Sequence, residues 1–175
     1  MFFCTILGGL ICGTLYEMTD RKFTKIVFDV DGVFTTGQFL YTEEGKFAKI
    51  FGPHDNDGIK LIKQYLAVEA ISADKRGWNI TKKRIEGDMG IPLTAVSEAD
   101  RLDYFKRIGD LSGVIYMGDG MHDVSIMEVV GYSIAPANAV PAARESADYV
   151  TEARSGEGAV FEACFHVYGI LKNND

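Results

Sequence analysis

The sequence predicts an α/β fold, a doubly wound parallel sheet with a β-hairpin after its first strand. Three observations carry this. From Lys22 onward, short apolar runs alternate with segments of helical periodicity, as they do when strands are buried on both faces of a parallel sheet. A pair of β-rich segments follows the first run directly. The central runs end in acids or hydroxyls, at Asp29-Val30-Asp31-Gly32, Ser72-Ala73-Asp74 and Gly118-Asp119, and such sheets bind ligands beyond the carboxyl ends of their strands.

In chain order, Lys25 to Val30 (KIVFDV) is the first buried strand. Gln38 to Thr42 and Lys46 to Phe51 flank Glu43-Glu44-Gly45 and predict the hairpin. Asp57 to Leu66 sets Ile59, Ile62 and Leu66 at helical spacing, and Val68 to Ser72 is the next strand. Asn79 to Met89 is helical and stops at Gly90; Thr94 to Ser97 is a short strand and Asp100 to Ile108 a short helix. Gly113 to Met117 (GVIYM) is a third buried strand, followed by a helix over Asp123 to Val130 that Gly131 closes. A strand at Tyr132 to Ala135, a helix at Val140 to Glu145, a short strand at Tyr149-Val150 and a helix over Ala159 to Leu171 complete the pattern. Right-handed crossovers between such units bring the strand ends to one edge.

The 175 residues suit one domain, and 47% hydrophobic with 25% charged residues is ordinary for a globular chain. With 18 basic against 25 acidic residues the net charge is -7. That balance opposes a nonspecific grip on nucleic acid or anionic lipid, so an anionic substrate needs a local counter-charge such as a metal ion. Cys4 and Cys12 near the N-terminus and Cys164 in an apolar stretch make no disulfide framework, and a reducing, cytoplasmic setting is expected. Met1 to Tyr16 is uncharged but shorter than the ~20 residues a membrane span needs. Residues 1–21 read as an apolar N-terminal extension, packed on the surface or arising from an upstream start, with a weak anchor or an oligomer contact as alternatives. Residues 22–171 are the domain.

Parallel strands would gather Asp29, Asp31, Asp119 and Asp123 at one edge, where carboxylates repel one another unless a divalent cation neutralises them. An oxygen-only set without Cys or paired His favours Mg²⁺ over zinc. A carboxylate beside Mg²⁺ is a competent nucleophile for a phosphoryl group. Because the chain turns after a strand, Asp31 can swing toward the same place, protonate the leaving alkoxide and then deprotonate the hydrolytic water. Ser72 and a cation such as Arg101 can bind the other phosphoryl oxygens.

Asp29-Val30-Asp31-Gly32-Val33, Ser72, Arg101 and Gly118-Asp119-Gly120-Met121-His122-Asp123 resemble, in order and spacing, the four motifs of the haloacid dehalogenase superfamily. The hairpin, Asp57-Gly58-Ile59, Ala135-Pro136-Ala137-Asn138-Ala139 and Ser155-Gly156-Glu157-Gly158-Ala159-Val160 narrow the likeness. They resemble its capless phosphatases of eight- and nine-carbon keto-acid sugar phosphates, such as 3-deoxy-D-manno-octulosonate 8-phosphate. The resemblance covers residues 22–171. It implies a Rossmann-like sheet of the haloacid dehalogenase type without a cap domain, and a Mg²⁺-dependent phosphomonoesterase working through an aspartyl-phosphate. It implies Asp29 as nucleophile and Asp31 as acid and base. The metal would be held by the Asp29 side chain, the Asp31 carbonyl and Asp119, with Asp123 in support. Ser72 and Arg101 would meet the phosphoryl group, Arg101 standing where the family usually has lysine. A homotetramer is implied too, its hairpins forming a barrel and a neighbour helping to close the site. Ser72-Ala73-Asp74 departs from the usual Thr-Gly-Arg, which bears on the sugar more than on the chemistry.

Gly32, Ser72, Lys75 and Arg76 are the candidate substrate contacts, the two basic residues for a sugar carboxylate. Lys106 is the alternative to Arg101 as cation, with Arg101 then paired to Asp100 or Asp103 on a solvated helix start. Trp78 and His166 read as packing residues. A broad-specificity sugar phosphatase and a non-catalytic oligomerisation module, of the kind joined to nucleotide-sugar synthetases, are the competing functions.

Overall fold

Lys25–Asp29 (β1) lies near the centre of a six-stranded sheet in the computed structural model, which describes residues 22–173. Residues 1–21, with Cys4, Cys12 and the predicted extension, lie outside the described residues. Ala67–Ser72 (β4) pairs with β1 on one side and Val114–Met117 (β6) on the other. Leu93–Ala95 (β5) follows β4 outward, and Tyr132–Ala135 (β7) and Tyr149–Val150 (β8) follow β6. Every pairing in this sheet is parallel. The order β5-β4-β1-β6-β7-β8 reverses direction between β1 and β6, which is where doubly wound sheets open a crevice. Thr35–Thr42 (β2) and Gly45–Phe51 (β3) form the separate antiparallel hairpin, with no cap domain among the described residues.

The helices are Asp55–Ile62 (α1), Trp78–Lys82 (α2), Arg101–Lys106 (α3), Val124–Met127 (α4), Pro141–Ser146 (α5) and Ala159–Asn173 (α6). Alternate strand residues feed two cores. Ile26, Phe28, Ile115 and Met117 pack on one face with Ile59 and Ile62 of α1 and Ala163, Cys164 and Val167 of α6. Val27, Ile71 and Tyr116 pack on the other with Phe105 of α3, Ile126 of α4 and Ala143 of α5. Trp78 and Tyr149 pack partly buried against the first core, and His166 stacks on Tyr149 at 3.8 Å. Among the described residues no helix is long and apolar enough to cross a membrane.

Two helices differ from expectation. The segment expected as one helix over Asn79 to Met89 widens into a π-helical stretch at Lys83–Asp88, with Ile85 fully buried. The helix expected from Asp123 to Val130 is short, running only from Val124 to Met127 after a 3-10 turn at Met121–Asp123. The Asp123 carboxylate caps the start of that turn, accepting the amides of Asp119 and Gly120 at 2.9 and 2.8 Å.

Asp55 ties α1 to α6. It is 1% exposed, its Oδ1 accepts the Phe161 amide at 3.3 Å, and its Oδ2 has no hydrogen-bond partner. Burial pushes its carboxyl from 3.8 up to about 6, against the pull of the Phe161 amide and of Arg84. The folded chain therefore keeps a proton that the unfolded chain releases near 4. The stability this group contributes is fully present below that pH, is lost as pH rises through about 6, and is absent above it. Asp55→Asn keeps an acceptor for Phe161 and carries no charge. It should flatten this slope and raise stability at pH 7 by up to about 3 kcal/mol. Urea midpoints of both proteins between pH 4 and 7 check this; parallel curves would refute it.

Candidate active site

The strand register sets the site. Asp29 lies level with Ile71 on β4, and Phe28 with Met117 on β6, so Asp29, Ser72 and Gly118-Asp119 leave the sheet together. After β1 the Val30 carbonyl accepts the amides of Val33, Phe34 and Thr35, and this turn carries Asp31 back over the strand end. Gly32 sits in it at φ 88, and a Cβ there would lie 2.1 Å from Asp119 Oδ2. Only glycine lets the Asp119 carboxylate lie against this backbone.

Asp29 is 4% exposed and Arg101 is 5% exposed. Arg101 Nη2 donates to Asp29 Oδ1 at 2.9 Å, while Nη1 donates to Asp123 Oδ1 and, at 3.3 Å, to the Tyr116 hydroxyl. Tyr116 in turn donates to Asp123 Oδ1 at 2.6 Å. Asp123 thus accepts two hydrogen bonds on each oxygen and clamps Arg101, Tyr116 and the Asp119-Gly120 turn together. Lys106, the alternative cation, is exposed and paired with Asp103 at 3.5 Å. Arg101 is the one that enters the site.

Carboxylate oxygens of Asp29, Asp119 and Asp123 lie within 4.8 Å of one another and could hold a metal ion. Burial lifts the Asp29 carboxyl well above the ordinary range, the charges of Asp123 and Asp119 adding to it and Arg101 opposing. Burial and the charge of Asp123 push Asp119 up to about 7. Acids crowded out of water in this way are what a hard divalent cation relieves, so the donor set fits such an ion.

Asp31 stands apart from this cluster. Its Oδ2 accepts from Ser72 Oγ at 3.1 Å and from Lys49 Nζ at 3.0 Å. Ser72 Oγ also accepts the Asp74 amide at 3.1 Å. The group opens into a cleft of about 460 Å³ lined by Asp29, Asp31, Asp119, Lys75, Arg76 and His122 among others. Lys75 and Arg76 are exposed on its wall, and His122 pairs with Glu98 at the rim, 3.1 Å apart.

The family model described as haloacid dehalogenase-like hydrolase matches residues 105–163. The 3-deoxy-D-manno-octulosonate 8-phosphate phosphatase KdsC of Escherichia coli K12 is 31% identical over 145 residues, covering 79% of this chain and 76% of that protein. The chain belongs to the haloacid dehalogenase-like hydrolases. The structure of the corresponding phosphatase from Moraxella catarrhalis, solved with magnesium, phosphate and KDO, is 25% identical with a TM-score of 0.78, covering 93% of this chain and 95% of that one. The cobalt-bound Haemophilus influenzae phosphatase is 26% identical with a TM-score of 0.74, covering 90% and 93%. Within the haloacid dehalogenase-like hydrolases, this chain is a phosphatase with the capless α/β architecture.

Three side chains that contribute to the site, those of Lys49, Lys46 and Tyr116, escape a reading of the sequence. Lys49 is 8% exposed and reaches Asp31 from the hairpin. Lys46 meets Asp74 at 2.5 Å while lying over the Phe39 ring at 3.5 Å. Asp74, where the family usually has arginine, is held down to about 2: burial opposes ionisation, but bonds from Lys46 and Lys49 prevail. Tyr116 reads as a core residue of an apolar strand, yet its hydroxyl braces Asp123. Lys46 and Lys49, set among Phe47 and Phe51, are the signal the hairpin offers.

Proposed function

We propose that this chain is a Mg²⁺-dependent phosphomonoesterase that hydrolyses the phosphate of an eight- or nine-carbon keto-acid sugar, such as 3-deoxy-D-manno-octulosonate 8-phosphate. The observation that carries the reading is the gathering of Asp29, Asp119 and Asp123 at the β1/β6 crevice, with Arg101 bonded to Asp29 and Ser72 to Asp31. Asp29 attacks phosphorus to form an aspartyl-phosphate, and the bond to the sugar oxygen breaks as Asp31 gives that oxygen a proton. Asp31 then takes a proton from water as the water's oxygen bonds to phosphorus, releasing inorganic phosphate and Asp29. Ser72 and Arg101 hold the phosphoryl oxygens. Lys75 and Arg76, exposed on the cleft wall, suit the sugar carboxylate. Asp29, Asp119 and the Asp31 carbonyl would hold Mg²⁺, with Asp123 in support; when bound, the ion offsets negative charge as the phosphoryl group moves.

The hairpin supports self-association as a homotetramer, because Phe39, Leu40, Tyr41, Phe47 and Ile50 are all at least 40% exposed on it. A neighbour at that face would help close a cleft that has no cap of its own. The setting proposed is cytoplasmic.

A phosphate-release screen over sugar phosphates, with eight- and nine-carbon keto acids included, tests the reading. The highest kcat/KM should fall on a keto-acid sugar, EDTA should silence turnover, and added Mg²⁺ should restore it. Full activity in EDTA would overturn the metal assignment, and uniformly weak rates would favour a broad-specificity phosphatase.

A further inference from the structure

We propose that Lys49 is a positioning residue for Asp31: its ammonium locks the carboxylate in the one orientation that serves the leaving oxygen. The proposal rests on the acid and base role given to Asp31. Lysine is among the side chains least often buried unless it is paired. Lys49 is the only buried residue of β3, in which Phe47 and Ile50 are exposed and the others half-buried. Its side chain is fully covered, and its partners come from three other parts of the fold.

Nζ lies 2.7 Å from Asp31 Oδ1 and 3.0 Å from Oδ2, 2.8 Å from Asp74 Oδ2 and 2.7 Å from Thr81 Oγ1. Thr81, on α2, is itself fully buried. An ammonium has three hydrogens and no acceptor, and here three residues take them. Asp74 and Thr81 would anchor a lysine whose task was only to join the hairpin to the domain. The remaining hydrogen faces Asp31, whose side chain keeps 19% exposure toward the cleft. Ser72 Oγ adds a further bond to Oδ2. Before a phosphoryl oxygen claims the single Ser72 hydrogen, the carboxylate is held by two donors from different elements; afterwards Lys49 alone holds it, and rotation toward the Asp29 cluster would break that bond.

A misaligned Asp31 harms reactions in proportion to how much the leaving oxygen needs a proton. A sugar alkoxide needs one, whereas p-nitrophenolate leaves without it. Lys49→Met should lower kcat for the sugar phosphate turned over fastest in the screen by about 10²-fold. It should change KM little and cost p-nitrophenyl phosphate turnover ~10-fold less. Lys49→Arg, which keeps a cation, should recover part of the alkyl-phosphate rate.

Asp31→Asn is measured alongside. If it shows the leaving-group split and Lys49→Met does not, the positioning role is overturned while the role of Asp31 stands. If Asp31→Asn shows no split, the acid and base assignment fails and takes the proposal with it. An equal loss on both substrates in Lys49→Met marks a purely structural lysine and also overturns the proposal. Should Lys49→Met fail to fold, Thr81→Val loosens the anchor without touching Asp31. It should give a smaller split of the same sign, and an unchanged ratio of the two rates refutes the role.

Discussion

Asp29→Asn is expected to cut phosphate release by at least about 10⁴-fold while leaving the fold intact, because an amide cannot form the acyl phosphate that a carboxylate forms. The two halves of the expectation have separate physical causes. For stability, asparagine keeps an acceptor for Arg101 Nη2, now 2.9 Å from Asp29 Oδ1, and removes a charge that burial disfavours. Arg101 is not orphaned, since Asp123 and Tyr116 still accept from it. An unfolding free energy within about 1 kcal/mol of the parent, read from urea unfolding, is therefore expected. For catalysis, no neighbour substitutes. Asp31 is bound to Lys49 and Ser72, and Asp123 has both oxygens engaged. Phosphate release at saturating Mg²⁺, measured beside the urea midpoint, checks both. A folded variant that keeps more than a few per cent of the parent rate removes Asp29 from the nucleophile's role.

The parts of this architecture that were legible in the sequence share one cause. KIVFD, VEAIS and GVIYM are apolar because both faces of their strands are buried, and a carboxylate or hydroxyl ending such a run has nowhere to go but the sheet's edge. Asp29, Ser72 and Asp119 are found in this way without any knowledge of their contacts. Arg101 needed the family's spacing, since a cation at a helix start otherwise looks solvated. Lys49 was illegible because an alternating hairpin strand shows a lysine on either face alike, and its partners Asp31, Asp74 and Thr81 are set by tertiary packing. Tyr116 was hidden for the opposite reason: five apolar-looking residues read as core, and the ring is core, packed edge-on to Phe105 at 5.0 Å. Only its hydroxyl belongs to the site. Sequence patterns report which face a residue occupies; they are silent on what a single polar atom at its tip meets.

Arg101→Ala should be the most destabilising single change in the site. The guanidinium stands between Asp29 and Asp123 with 6% of its side chain exposed, and those carboxylates are 6% and 1% exposed. Burial works against its charge, but Asp29 and Asp123 prevail and hold it firmly protonated. Removing one member of a buried ion pair costs about 3–5 kcal/mol, because the remaining charge keeps its desolvation penalty and loses its partner. Here one truncation strands two acids at once. Arg101→Lys offers a point charge without the fork that reaches both acids, so its loss should be intermediate. The sign of a metal effect separates this account from simple loss of packing. If the acids are what suffers, a divalent cation at Asp29 and Asp119 neutralises part of what Arg101 left behind, and Mg²⁺ should stabilise Arg101→Ala more than it stabilises the parent. Urea midpoints of both proteins with EDTA and with millimolar Mg²⁺ measure this. Equal Mg²⁺ shifts would mean that Arg101 contributes bulk rather than charge. Lys106→Ala supplies the reference, because its exposed pairing with Asp103 at 3.5 Å is worth at most about 0.5 kcal/mol.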